Sequence, residues 1–346
     1  MTLNIKTLIT SLAIILTALT PGIVSSEAYC ALRDPVESIN QLYPESKTYR
    51  SIVRVIDQDV RANVSKLIPS NTLHFSELGR HTLYVIFDDK AAPTGYVHVR
   101  SEESDWGLVE VAWALDLNMK IVDFRFQRSR SMHKETLQSQ DFKTQFIGKN
   151  FEELSPFLSK DGIHINQKKL QVPHDAASLA AAVVRSGLKT LLVTQLAWEK
   201  EVNQYRLWQS ANDYFDEIDD IKIIASPVTG LVIEALDNAF DGISTGINHH
   251  AVTVAKVIGK RGKVIGALYR GQFNDGHKTV DIEWAIAPNN TILGIRNIAG
   301  WQADSDKNVF EKVVGNHFNS ATQCNNLAEL MTLEAIITSK VVFSPK

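Results

Sequence analysis

Two copies of one motif spaced 171 residues apart, strand-like alternation within each copy, and apolar helical stretches beside them predict an α+β fold. The expected architecture is two tandem domains, each a mainly antiparallel sheet flanked by helices. In the first copy Val109-Glu-Val-Ala-Trp113-Ala-Leu is followed by Asn118, Ile121 and Arg125. In the second, Val280-Asp-Ile-Glu-Trp284-Ala-Ile is followed by Asn289, Ile292 and Arg296 at the same spacing. Upstream, Gly95-Tyr-Val-His matches Gly266-Ala-Leu-Tyr at that offset, and His81-Thr-Leu-Tyr-Val matches His250-Ala-Val-Thr-Val with two residues of slippage.

Residues 1–28 have the pattern of a cleavable export signal: one early cation, Lys6, an apolar run from Leu8 to Leu19, then Pro21-Gly22 and the small residues Ser26 and Ala28. The run is shorter than the ~20 residues that cross hydrocarbon as a helix. A cleaved signal, and hence an exported, periplasmic protein, is therefore expected over an uncleaved membrane anchor. Tyr29 argues against a lipid anchor on Cys30, since such sites carry a small residue there.

The first domain is expected over 29–197. It opens with a helix from Ile52 to Leu67, in which Ile56, Val60, Val64 and Leu67 share a face. Four strands follow, alternating at the two-residue period of half-buried strands, with charged or Gly- and Pro-containing turns at Asp88 to Thr94 and, in the second copy, at Lys260 to Lys263. A short helix from Asp141 to Ile147 ends at Gly148, and its counterpart from Asn308 to Val314 ends at Gly315. The alanine-rich stretch Ala176 to Leu196 reads as a helix buried on the sheet. Residues 198–220 are expected as a helical connector, and 221–346 as a shorter second domain with helices at Val228 to Ile243 and from near Ala321. There Thr322 takes the place of Ser178, 144 residues on, so the second copy lacks a loop like Phe151 to Gln171.

With 36 basic and 39 acidic side chains and a formal charge of -3, the chain lacks the concentrated positive field that nucleic acid demands. An ATPase or hydrolase has no motif to stand on, since no Walker loop, dinucleotide fingerprint, Gly-x-Ser-x-Gly elbow or His-Glu-x-x-His occurs. No metal is expected either: His249 and His250 are consecutive on a strand and point to opposite faces, and the acidic run Asp213 to Asp220 lacks the glycine and spacing of a calcium loop. His98, Arg100 and Glu110 are expected on the wet face of a sheet, with a pocket lining as the alternative, and Trp113 and Trp284 in the core. In an oxidising compartment the chain's two cysteines allow one pairing, Cys30 with Cys324; two free thiols are the alternative.

From Gly95 to Leu188 the order of elements resembles the FMN-binding domain of periplasmic flavin subunits in Rnf-type and sodium-pumping quinone reductase complexes. Gly95-Tyr-Val-His, Trp106-Gly-Leu-Val-Glu-Val, Asp116 to Ile121 and Phe142-Lys-Thr-Gln-Phe-Ile-Gly-Lys149 carry the resemblance. That family places a Ser-Gly-Ala-Thr-x-Thr-Ser motif at a helix start, where the flavin phosphate sits and a threonine can carry a phosphoester to FMN. Here the place is held by Asp175-Ala176-Ala177-Ser178-Leu179-Ala180-Ala181. The resemblance implies FMN as cofactor, with Asp175, Ala176, Ala177, Ser178 and Leu179 around the phosphate and Arg100 facing a phosphate or ring oxygen. Covalent attachment would fall at Ser178, or at Thr322 in the second copy. It also implies an electron-transfer flavoprotein more than a turnover enzyme, partnered by a membrane redox complex or another electron-transfer protein. Asp175 and the missing later hydroxyls depart from the motif, so a flavin-free envelope scaffold is the alternative.

Overall fold

The computed structural model describes residues 35–46, 48–224, 247–274, 279–299, 312–316 and 327–343. The signal segment, the helix expected at Val228 to Ile243, and Cys30, Thr322 and Cys324 lie outside these residues.

Helix α1 (Val36–Leu42) leads into five antiparallel strands, β1 (Thr48–Ile56), β2 (Gly79–Phe87), β3 (Pro93–Ser104), β4 (Gly107–Leu115) and β5 (Ile121–Arg128), arranged in that spatial order. The helix expected from Ile52 starts later. Thr48–Ile56 is an edge strand paired with β2, and α2 (Gln58–Leu67) begins where the Asp57 carboxylate caps the N–H groups of Asp59 and Val60. The β-branched Ile52, Val53, Val55 and Ile56 favour the strand locally.

After five short helical segments between Lys134 and Ala176 comes α3 (Ala177–Ala197), which packs across β3 and β4, followed by α4 (Glu199–Ala211). The second sheet holds β6 (Ile218–Ile224), β7 (Ile247–Gly259), β8 (Val264–Asn274), β9 (Thr279–Ile286) and β10 (Ile292–Ala299), with α5 (Leu327–Phe343) against it. Ile218 to Asp220, expected within the connector, already belong to β6.

The duplication is written into the strand register. Leu83↔His98, Tyr96↔Leu115 and Trp113↔Phe124 in the first sheet become Val254↔Tyr269, Ala267↔Ile286 and Trp284↔Ile295 in the second. All six positions move by 171 residues. The slippage expected at His81 and His250 falls where β7 breaks register with β8, between Asn248 and Thr253. Met119 and Asn290, also 171 apart, take left-handed φ values of 63° and 65° in equivalent turns. The N–H of Gly148 donates to Ile121 O at 2.7 Å and that of Gly315 to Ile292 O at 2.8 Å.

Each sheet is covered on one face by an aromatic laid on a glycine. Tyr43, just past α1, stands over Gly95 and donates to Leu115 O at 2.7 Å. Phe215, just past α4, stands over Gly266 beside Ile286 O. On the other face the long helix receives the tryptophan. Trp113 Nε1 donates to Ser186 Oγ of α3 at 3.0 Å, and Trp284 Nε1 to Thr332 Oγ1 of α5 at 3.1 Å. Both indoles are fully buried, the core role expected for them. Apolar side chains from both sheets and from α3 and α4 form one continuous core.

Candidate functional site

Pro173 sets up a single 3-10 turn, His174–Ala176, from which α3 departs with no side chain capping its first amides. An open groove of about 760 Å³ lies against this helix start. Asp175, Ala177, Ser178 and Ala181 line it on the helix side, with Ile163, Ile165, Glu103 and Asp105 opposite.

The structure divides the residues expected to bind cofactor. Asp175, Ala177 and Ser178 come together on the groove. Ala176 and Leu179 point into the core, at 0% and 3% exposure, so they support the helix start instead of lining it. The Asp175 side chain is largely exposed and sits 3.8 Å from His133 Nδ1. Arg100 is not at the groove, nor on a wet sheet face: it lies under α3 at 1% exposure, 2.8 Å from Glu77. His98 is buried with it, bonded to Thr194 Oγ1 at 2.8 Å, whereas Glu110 stays at the sheet margin near Arg128.

Beneath the groove runs a chain of buried charge. Arg185 Nε meets Glu102 Oε1 at 3.2 Å, Lys189 Nζ meets Glu102 at 2.8 Å and Glu77 at 3.0 Å, and Glu77 ends on Arg100. Burial alone would raise the Glu77 carboxyl, but Arg100 and Lys189 outweigh it and hold it at about 2. His81, opposite Arg100 on β2, is held near 3 by burial and then by the Arg100 charge, so it is neutral. A second, small cavity of about 80 Å³ beside Lys189 and Glu102 is lined in part by the buried Ser101 hydroxyl, which has no partner. None of Glu77, Glu102, Arg185 or Lys189 was singled out from sequence.

The helix start has what a phosphate site needs in general, uncapped amides and small residues beside them. Two features oppose a dianion. Glu103, Asp105 and Asp175 surround the groove, and Arg185 is already committed, giving hydrogen bonds to Glu102, Ile163 O and Glu103 O. The lining offers a flavin ring no Phe, Tyr or Trp, only the imidazoles of His164 and His174 and the aliphatic Ile163 and Ile165.

Among the described residues no group of three or more His, Cys, Asp or Glu is placed to hold a metal ion. The segment His174–Ala197 is long and apolar enough to span a membrane, but it is largely buried inside the fold, as a core helix is. Comparison with protein-family models finds no match to this chain, and comparison with the curated proteins finds none either.

Proposed function

We propose that this chain is an exported electron-transfer flavoprotein, whose first repeat takes FMN in the groove over the start of α3 and passes electrons to a membrane redox complex. One observation carries the reading. The stretch that stands where the resembling family attaches its flavin begins a 21-residue helix with no side-chain cap, and it opens on a groove with Ser178 in its wall. FMN itself supplies the electron transfer, while the chain positions and shields it. Ala177 admits the phosphate, the Ser178 hydroxyl donates to it, and Ile163 and Ile165 keep water from the ring.

The acidic rim favours a second reading, in which the fold has lost its flavin and serves as an envelope scaffold for such a complex. Titrating free FMN with protein separates the two by flavin fluorescence. Binding predicts saturable quenching that Ser178→Ala weakens and Asp175→Asn strengthens, because the latter removes a charge facing the phosphate. Fluorescence that stays flat over the whole titration favours the scaffold.

A further inference from the structure

A second large cavity lies away from the groove, between the repeats. It holds about 850 Å³ and is walled by equivalent ends of the two sheets: the start of β1 with the β2–β3 turn on one side, the start of β6 with the β7–β8 turn on the other. Clefts between domains are where small ligands most often sit. The two walls have diverged in charge. Arg50 and Lys90 stand on the first-repeat side, Asp216 and Asp219 on the second.

The cleft also holds Asp88, which keeps its charge, and the pair Glu217 and Lys260, which cancel. Asp88 Oδ1 accepts from the N–H groups of Lys90 and Ala92 at 2.9 and 2.8 Å, and Lys260 pairs with Glu217 at 2.6 Å. Arg50 lies 5.3 Å from the centre of the Phe87 ring and donates to the Tyr205 hydroxyl, neither of which neutralises it. Arg50 and Lys90, with Asp88 beside them, therefore leave the first-repeat wall net positive and Asp216 and Asp219 leave the other net negative, and among the described residues none of these five has an ion-pair partner. The space between them is lined by Tyr49, Phe87, Trp208 and Phe215.

We propose that this cleft binds a zwitterion with an apolar body, an amino acid or short peptide with free ends. Its ammonium meets Asp216 and Asp219, its carboxylate meets Arg50 and Lys90, and its side chains cover the aromatic floor. A ligand of one charge would gain from one wall and be repelled by the other. A zwitterion gains from both.

Calorimetric titration with L-phenylalanine and with the dipeptide Phe-Leu tests this, each beside its N-acetylated and its C-amidated form. The expected result is binding of at least one zwitterion and a loss of about tenfold or more when either end is blocked, as for a lost charged hydrogen bond. Asp216→Asn with Asp219→Asn should erase the difference between free and acetylated amine. Arg50→Gln with Lys90→Gln should erase that between acid and amide. No binding of either zwitterion, equal binding of all forms, or binding indifferent to both pairs of substitutions overturns the proposal.

Discussion

Lys189 Nζ sits 3.0 Å from Glu77 and, on its other side, 2.8 Å from Glu102, so one lysine ties α3 to two separate segments of the first repeat. At 2% side-chain exposure it balances two carboxylates that are themselves at most 10% exposed. Lys189→Met should therefore destabilise the fold by about 3–5 kcal/mol, since removing one partner of a buried pair strands the other. Urea unfolding followed by tryptophan fluorescence measures it, and a loss under 1 kcal/mol would show the network to be wet.

Acid should loosen the same region. Glu77, held near 2 against an ordinary 4.5, contributes stability that is full above about 4.5 and is lost as pH falls toward 2, roughly 3 kcal/mol in all. His81, held near 3 against 6.5, is neutral when folded, so the unfolded chain takes up its proton first and stability falls between 6.5 and 3. Both effects have the same sign. Stability measured against pH should decline from about 6.5 downward, and Glu77→Gln should flatten the lower part of that decline.

The paired indole contacts should behave alike. Ser186→Ala and Thr332→Ala each remove the hydroxyl that accepts from a buried Trp N–H, at a cost of about 1–3 kcal/mol. Chemical denaturation of the two variants reads both. A large effect in one repeat and none in the other would break the equivalence of the helices.

Gly95→Ala and Gly266→Ala should each cost roughly 1–3 kcal/mol, because a β-carbon at either place meets the covering aromatic and a strand carbonyl. Thermal unfolding gives the comparison, and unchanged melting in either variant would mean that Tyr43 or Phe215 can move aside freely.

Much of the scaffold was legible because strands record register directly: the spacing from Trp113 to Trp284 holds for every equivalent pair in three ladders. β1 was misread because Ile56, Val60, Val64 and Leu67 step like a helix straight through the strand's end, and Asp57 as the dividing cap was overlooked. The buried network was hidden for another reason. Glu77, Arg100 and Lys189 are far apart in the chain, and only the fold brings them together. One trace was visible: Arg185 and Lys189, four residues apart and so on one face, are the only charges in Ala177–Ala197. Ser178 lines a groove at a helix start, whereas Arg100, drawn to the flavin on residue type alone, is buried away from it. The Trp-to-hydroxyl bonds relate Ser186 to Thr332, 146 residues on, against the 144 that equates Ser178 with Thr322.

The visible spectrum of the protein purified from the periplasm of a host with flavin-attaching machinery tests the central claim most directly. Flavin absorbance that persists through gel filtration, with any in-gel fluorescence after denaturation lost in Ser178→Ala or Thr322→Ala, is the predicted result. A colourless protein that stays colourless after incubation with FMN would contradict it.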